Sequence, residues 1–307
     1  MTRRAVVGGA SVAAVVVISG VALRRRRARG RQLRTDLDRR RSRPTPPGDV
    51  RLTVVVPAFR EERIGATVER LRHDLDKVAM EGGLEIVVVD DGSHDGTAER
   101  AEDAGADQVL RQPVNRGKGA AVRAGMLAAR GRVVAFTDAD LSYAPDQIVG
   151  LLHEVEDGWD VVVGSRRHTD TTTLVRAGRL REIGGRAINL LTKAVLLGQH
   201  RDTQCGLKAF RSDVARLVFS HSHVDGFAFD VEVYHLVERY HLSLNEVPVR
   251  VENSSRSTVK VVRDALRLVR DLFRIRAWDR VGVYDPDTDE LALLGAPPRD
   301  DGPAPAD

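Results

Sequence analysis

The chain has a single cysteine among its 307 residues, Cys205, and it lacks two common phosphate-binding patterns. One cysteine excludes an intrachain disulfide and a cysteine-based zinc site. No Gly-x-Gly-x-x-Gly follows the first predicted strand, and the glycines of Asn115–Gly119 do not have the spacing of a P-loop. These absences disfavour a plain Rossmann dehydrogenase and a P-loop enzyme.

The body of the chain also lacks an excess of either charge. Residues 44–284 have a net charge of −1, whereas residues 1–43 hold 13 Arg and two Asp, and residues 285–307 hold seven acidic residues and one Arg. The basic segment lies outside the predicted folded part, so the charge pattern predicts no nucleic acid partner.

The N-terminal segment contains a long apolar run. Residues 5–23 carry no charge, and a helix of that length spans ~28 Å, close to the ~30 Å hydrocarbon core of a bilayer. We therefore expect a membrane anchor at residues 1–23, with a cleaved signal peptide as the alternative. Eleven Arg from Arg24 to Arg43 outweigh the two that precede the run. The positive-inside rule then predicts a single-pass protein whose N-terminus lies outside and whose following domain is cytoplasmic.

From residue 51 onward, short β-branched runs alternate with helical segments. This alternation predicts an α/β fold with a mainly parallel central sheet covered by helices on both faces. The predicted strands are 52–57, 84–91, 106–111, 132–140 and 159–165, and the predicted helices are 61–80, 96–104, 117–130 and 145–157. Ligands of such sheets bind beyond the carboxyl ends of the strands.

Polar clusters follow four of the predicted strands at that edge. They are Phe59–Glu61, Asp90–Ser93, Asp138–Asp140 and Gly164–Arg166. Two carboxylates two residues apart can share Mg²⁺ or Mn²⁺, whose remaining ligands then come from substrate phosphates and water. A helix cap or a solvated turn is the alternative for an isolated Asp-x-Asp. The other clusters on the same edge favour a site that binds a diphosphate.

Several segments, in this order and spacing, resemble the family 2 glycosyltransferases of the GT-A fold. They are VVVPAFREE, EIVVVDDGSHDGT, NRGKGAAVRAGM, FTDADLSYAP and VVVGSRR. Residues 201–219 and 226–249 resemble those of the dolichyl-phosphate β-glucosyltransferases in particular, to which the dolichol-phosphate mannosyltransferases are related. The resemblance extends from about Leu52 to Trp278.

The resemblance implies a role for individual residues in binding a nucleoside-diphosphate sugar. The nucleotide-sugar ligands would be Pro57, Phe59, Glu61, Asp91, Asp138, Ala139, Asp140 and Arg166. Of these, Asp138 and Asp140 would also bind the metal, and Ala139 would contact the nucleotide through its backbone. The family usually has Tyr-Asn-Glu where this chain has Phe59-Arg60-Glu61, so a tyrosine hydroxyl contact is missing.

The resemblance also implies an acceptor and a reaction. We expect inverting transfer of a hexose to a polyprenyl or dolichyl phosphate. The expected hexose is glucose, and its expected donor is UDP-glucose. That phosphate is already an anion at pH 7, so positive charge must hold it. The expected phosphate ligands are Arg179, Arg256 and Lys260, and the catalytic candidates are Asp138, Asp140 and Asp230. Asp230 would orient sugar hydroxyls or act as a base, with structural pairing to an arginine as the alternative.

Two other functions stay open on the sequence. One is a polyprenyl-phosphate mannosyltransferase that uses GDP-mannose, and the other is a non-catalytic GT-A-like protein that binds at the membrane. If the protein is either of the two transferases, its expected partners are a nucleoside-diphosphate sugar, a polyprenyl phosphate lipid and the membrane.

The C-terminal part carries two stripes at helical spacing. Basic residues recur from Lys260 to Arg274, and the apolar stripe is Val262, Leu266, Val269 and Phe273. This pattern predicts an amphipathic basic helix that faces the membrane, with an ordinary packed helix as the alternative. The expected organisation is an anchor at 1–23, a basic juxtamembrane linker at 24–50, a GT-A domain at 51–250, this helix at 251–280 and an acidic disordered tail at 281–307.

Overall fold

A computed structural model of the chain describes residues 43–166, 205–251, 261–287 and 290, with only the backbone described at 261–266. The chain divides into two units, residues 1–44 and 45–307, and all the elements below belong to the second. The predicted anchor at residues 1–23 lies outside the described residues. Among the helices that are described, none has both the length and the apolar character needed to cross a membrane.

Among the described residues, strands and helices alternate along the chain up to residue 165. The strands are β1 Val50–Ala58, β2 Leu84–Asp90, β3 Gln108–Arg111, β4 Gly131–Phe136, β5 Val161–Ser165, β6 Lys208–Arg211 and β7 Leu244–Pro248. The helices are α1 Ile64–Asp74, α2 Asp76–Met80, α3 Thr97–Asp103, α4 Lys118–Ala128, α5 Asp146–Glu156, α6 Ser212–Ser220, α7 Phe229–Arg239 and α8 Val261–Arg280.

The strands form one sheet in the order β3-β2-β1-β4-β6-β5-β7. Among the strands that the structure describes, only β6 runs antiparallel to its neighbours, β4 and β5, while the other pairs are parallel. The predicted mainly parallel sheet is therefore confirmed. The carboxyl ends of β1, β2, β4 and β5 meet at one edge, and β6 begins at that same edge with Lys208.

Each face of the sheet is buried under helices, which explains why the strands read as continuous apolar runs. Along β1, Val54 and Val56 pack with residues of α1 and α5, whereas Val55, on the opposite face, packs with residues of α4, α6 and α7. All three valines have no exposed surface. Packing on both faces of the sheet fixes where each strand ends, and thereby the positions of the loops beyond the strands.

The sequence located the first five strands and misplaced some of their ends. β4 ends at Phe136, so Thr137–Asp140 form a loop and not the end of a strand. The predicted helix 61–80 is two helices, because the chain turns at Leu75, and it begins at Ile64. The last predicted helix begins at Val261 among the described residues, and residues 252–260 lie outside them.

The folded part extends past residue 281, where the acidic tail was predicted to begin. Tyr284 has no exposed surface. Its hydroxyl donates a hydrogen bond to Glu232 Oε1 over 2.7 Å, and its carbonyl accepts one from the Tyr240 hydroxyl over 2.9 Å. One aromatic side chain thus anchors a segment whose acidic composition had suggested disorder, and the boundary belongs after this tyrosine.

Candidate active site

Asp138 and Lys118 form an ion pair at the carboxyl edge of the sheet. Asp138 follows β4, and Lys118 is the first residue of α4 and donates a hydrogen bond from Nζ to Asp138 Oδ1. Gly117 precedes the lysine with φ 116°, and a Cβ at this glycine would lie 2.6 Å from the carbonyl oxygen of Asp225. Only glycine allows this approach. The sequence reasoning assigned no role to Lys118, although the glycines on either side of it are a signal of close backbone packing.

The charges of three carboxylates act on the Lys118 ammonium. Burial disfavours the charged lysine, yet attraction to Asp138, Asp230 and Asp140 outweighs it and raises the pKa of Lys118 above its ordinary value. Asp230 in turn pairs with Lys208 over 2.5 Å. Lys118 and Lys208 both stabilise the charged form of the Asp230 carboxylate.

The loop from Thr137 to Ser142 is fixed by local hydrogen bonds. Asp140 Oδ1 accepts from the backbone N–H of Ser142 over 2.9 Å and from its hydroxyl over 2.8 Å. The carbonyl of Ala139 accepts from Thr67 Oγ1 over 2.6 Å, which ties the loop to α1. Leu141 has φ 47°, a conformation that costs a non-glycine residue about 1 kcal/mol or more. This strain fits a loop whose shape serves a site.

Asp91 holds the loop that carries Lys118. Its two carboxylate oxygens accept the backbone N–H groups of Arg116 and Gly117, each over 2.8 Å. Burial raises the pKa of Asp91 above its ordinary value, although these two donors oppose the rise. The residue predicted to contact a nucleotide therefore also anchors the neighbouring loop.

The other predicted nucleotide ligands lie beside Asp91. Pro57 lies within β1 opposite Val89 of β2. Phe59 is 42% exposed, with the Arg60 guanidinium 5.0 Å from the centre of its ring. Glu61 Oε1 accepts from the backbone N–H of Arg63 over 3.2 Å. The ends of β1 and β2 are joined directly, since the N–H of Asp91 donates to the carbonyl of Ala58 over 2.9 Å.

Asp230 is paired with a lysine and not with an arginine. It lies in the first turn of α7, is 6% exposed, and accepts a hydrogen bond from Lys208 Nζ. Burial raises its pKa, while Lys208 and Lys118 oppose the rise. The sequence reasoning also missed Lys208, because a lysine in an apolar strand gives no pattern of its own.

The remaining predicted ligands fall into two groups. Arg166 is exposed and directly follows β5 at the same edge of the sheet. Arg179, Arg256 and Lys260 lie outside the described residues. Among the described residues, no group of three or more His, Cys, Asp or Glu side chains is arranged to hold a metal.

The fold and this edge define a class of protein. A mainly parallel sheet, an antiparallel strand beside β4 and an acidic corner beyond it form a GT-A-like fold. The chain is 25% identical to glucosyl-3-phosphoglycerate synthase from Mycobacterium tuberculosis, solved in complex with Mn²⁺, UDP and glucosyl-3-phosphoglycerate. That likeness covers 78% of this chain and 82% of the other, with a TM-score of 0.53.

Two further comparisons define the family. The family model described as Glycosyl transferase family 2 matches residues 53–219. The chain is 34% identical to the dolichyl-phosphate beta-glucosyltransferase of Drosophila melanogaster over 76% of each chain. It is 29% identical to that of Homo sapiens, over 76% of this chain and 77% of the relative. The chain belongs to glycosyl transferase family 2, and it is a glycosyltransferase.

Proposed function

We propose that the protein transfers glucose from UDP-glucose to a polyprenyl phosphate such as dolichyl phosphate, with inversion to a β-linked product. The observation that carries this proposal is the carboxylate cluster around Lys118, at the sheet edge where nucleotide sugars bind in this fold. The named relatives support the choice of sugar and acceptor, since the similarity extends over three quarters of each chain.

The nucleotide lies beside the ends of β1 and β2 in this proposal. The exposed ring of Phe59 offers a surface for the base, and Asp91 and Glu61 offer carboxylate oxygens to the base or ribose. Pro57 and the backbone of Ala139 border the same space, and Arg166 beyond β5 binds phosphate. Because Asp91 already accepts two backbone N–H groups, its contact with the nucleotide would also fix the position of Lys118.

Asp138 and Asp140 would hold Mg²⁺ or Mn²⁺ together with the diphosphate. Their oxygens are the hard donors that both ions prefer. The Asp138 carboxylate also lies against Gly206, where a Cβ would come within 2.6 Å of Asp138 Cγ, so a glycine leaves room for this carboxylate. When bound, the ion neutralises charge on the leaving diphosphate. The solved relative that contains both Mn²⁺ and UDP supports this choice of ion.

The acceptor needs positive charge more than it needs a base. A phosphate monoester oxygen is anionic at pH 7 and can attack the anomeric carbon without losing a proton. Arg179, Arg256 and Lys260 are the proposed ligands of that phosphate. Asp230 lies between two ammonium groups, so we assign it to orienting the sugar and the site's lysines and not to proton removal.

Membrane attachment is part of the proposal because the acceptor is a lipid. Residues 1–23 would anchor the chain, with the N-terminus outside and the transferase domain in the cytoplasm. On α8, Leu268, Leu272 and Ile275 face the core, whereas Phe273 is 59% exposed. Arg270 and Arg274, three residues before and one residue after Phe273, also have exposed side chains. An exposed aromatic ring among arginines suits the surface of an anionic membrane.

Label transfer tests the proposal. Membranes that contain the protein are incubated with radiolabelled UDP-glucose or GDP-mannose, with and without added polyprenyl phosphate and EDTA. We expect label from UDP-glucose in the lipid phase, loss of that label with EDTA, and loss in Asp140→Asn. Transfer from GDP-mannose alone would reassign the sugar, and no transfer from either donor would contradict the proposal. Transfer that persists undiminished in Asp140→Asn would remove the proposed metal site.

A further inference from the structure

Lys208, the first residue of β6, is a fully buried ammonium with two acceptors. Its side chain has no exposed surface, and Nζ donates to Asp230 Oδ1 over 2.5 Å and to the carbonyl oxygen of Cys205 over 2.7 Å. The ring of Phe136 lies beneath it, 5.2 Å from Nζ to the ring centre. A buried ammonium is unfavourable unless its partners are well placed, and this one group binds both acceptors.

The Cys205 carbonyl begins a short turn, residues 205–208, that reaches the Asp138 carboxylate. At Gly206 an added Cβ would lie 2.6 Å from Asp138 Cγ and 3.0 Å from Oδ1, and closer still to Oδ2. Real Cβ atoms are essentially never found this close to another atom. The backbone of Gly206 therefore touches one side of the Asp138 carboxylate, and Lys118 binds Oδ1.

We propose that Lys208 and Gly206 are positioning residues for the divalent ion at Asp138. Lys208 holds the Cys205 carbonyl, the turn places Gly206 against Asp138, and the carboxylate is thereby kept in one orientation toward the ion. The same ammonium binds Asp230, whose charge also acts on Lys118. This inference rests on the proposed function, since it takes the metal at Asp138 and Asp140 as given.

The first test measures Mn²⁺ binding directly, without catalysis. Purified protein is mixed with Mn²⁺ and UDP, and the free ion is followed by its electron paramagnetic resonance signal. In Gly206→Ala the Cβ must displace the Asp138 carboxylate. Changes in the groups that orient a metal ligand typically weaken binding 10- to 100-fold, and we expect a loss in that range. Gly150→Ala is the matched control, because nothing lies within 4 Å of a Cβ added there; its Mn²⁺ affinity should equal that of the wild type.

The second test separates positioning from stability. Lys208→Met keeps the length of the side chain and leaves the buried Asp230 without its partner, so it should lower both the melting temperature and the Mn²⁺ affinity. The double variant Lys208→Met, Asp230→Asn removes both charges and should recover most of the melting temperature. We expect its Mn²⁺ affinity to stay about tenfold or more below wild type, because the bond from Lys208 to the Cys205 carbonyl is still missing.

The outcomes distinguish this inference from the proposed function. If the wild-type protein with UDP binds no Mn²⁺, the proposed metal site fails, and this inference fails with it. If the wild type binds Mn²⁺ and Gly206→Ala binds it equally well, only the positioning role is overturned. Full recovery of Mn²⁺ affinity in the double variant would likewise overturn the role of the Lys208 bond to Cys205.

Discussion

Removing the Tyr284 hydroxyl should destabilise the fold by a measurable and pH-dependent amount. Glu232 has no exposed surface and accepts three hydrogen bonds, from the Tyr284 hydroxyl over 2.7 Å and from the backbone N–H groups of His223 and Val224 over 2.9 and 2.8 Å. A hydrogen bond to a charged group contributes about 1.5–3 kcal/mol. Tyr284→Phe removes one such bond and keeps the ring.

That loss converts into a shift in melting temperature. For a domain of this size, 1 kcal/mol corresponds to about 2–4 °C, so Tyr284→Phe should melt roughly 3–12 °C below the wild type, as measured by circular dichroism or calorimetry. Tyr240→Phe is the matched control, because its hydroxyl donates to the uncharged carbonyl of Tyr284. A neutral bond contributes about 0.5–1.5 kcal/mol, and the control should therefore lose about half as much.

The pH dependence of the difference identifies Glu232 as the acceptor. Burial raises the pKa of Glu232, and the bond from Tyr284 opposes the rise because it stabilises the charged carboxylate. The bond's contribution is therefore present above the raised pKa and is lost as pH falls through the raised pKa toward about 4.5. The gap between wild type and Tyr284→Phe should narrow over that range. A gap that is below 1 °C at pH 7, or that does not change with pH, would refute this reasoning.

Three further predictions concern other parts of the molecule. Burial raises the pKa of Asp91, so the folded protein binds the proton of this carboxyl more tightly than the unfolded chain does. The contribution of Asp91 to the free energy of unfolding is therefore lost as pH rises from about 3.8 through the raised pKa. Urea titrations across that range should show this decrease in wild type and not in Asp91→Asn. Phe273→Asp should leave the melting temperature unchanged and weaken binding to anionic vesicles about 10- to 150-fold, since burying a phenylalanine contributes ~1.5–3 kcal/mol. Equal binding would remove α8 from the membrane contact. Gly125→Ala places a Cβ 2.9 Å from Val89 Cγ2 in the core and should cost about 1–3 kcal/mol in urea unfolding, whereas Gly150→Ala should cost nothing measurable.

The strands β1, β2, β4 and β5 were predictable because each is an apolar run that is followed by a polar cluster. The residues Asp138, Asp140 and Asp91 were located for the same reason, since parallel strands bring their carboxyl ends to one edge. β6 was not predicted, because its four residues Lys208–Arg211 begin and end with a charged side chain and show no apolar run. Its lysine is buried by tertiary contacts that no local pattern encodes.

The cations of the site were harder to predict than its acids. Lys118 and Lys208 acquire their roles from carboxylates that are far away in the sequence, at Asp138 and Asp230. The pairing of Asp230 with an arginine was a reasonable alternative, since only the fold decides which basic residue comes near. Tyr284 shows the same limit, because the acidic composition of the segment after it gave no sign that this side chain is buried.

The most direct test of the account uses purified full-length protein with radiolabelled UDP-glucose, Mn²⁺ and one of two acceptors of equal chain length, a polyprenyl phosphate or the corresponding polyprenol. The account predicts that label enters the organic phase only with the phosphorylated lipid, and that mild acid releases it as glucose. Equal transfer to the polyprenol, or no transfer to the phosphorylated lipid, would contradict it.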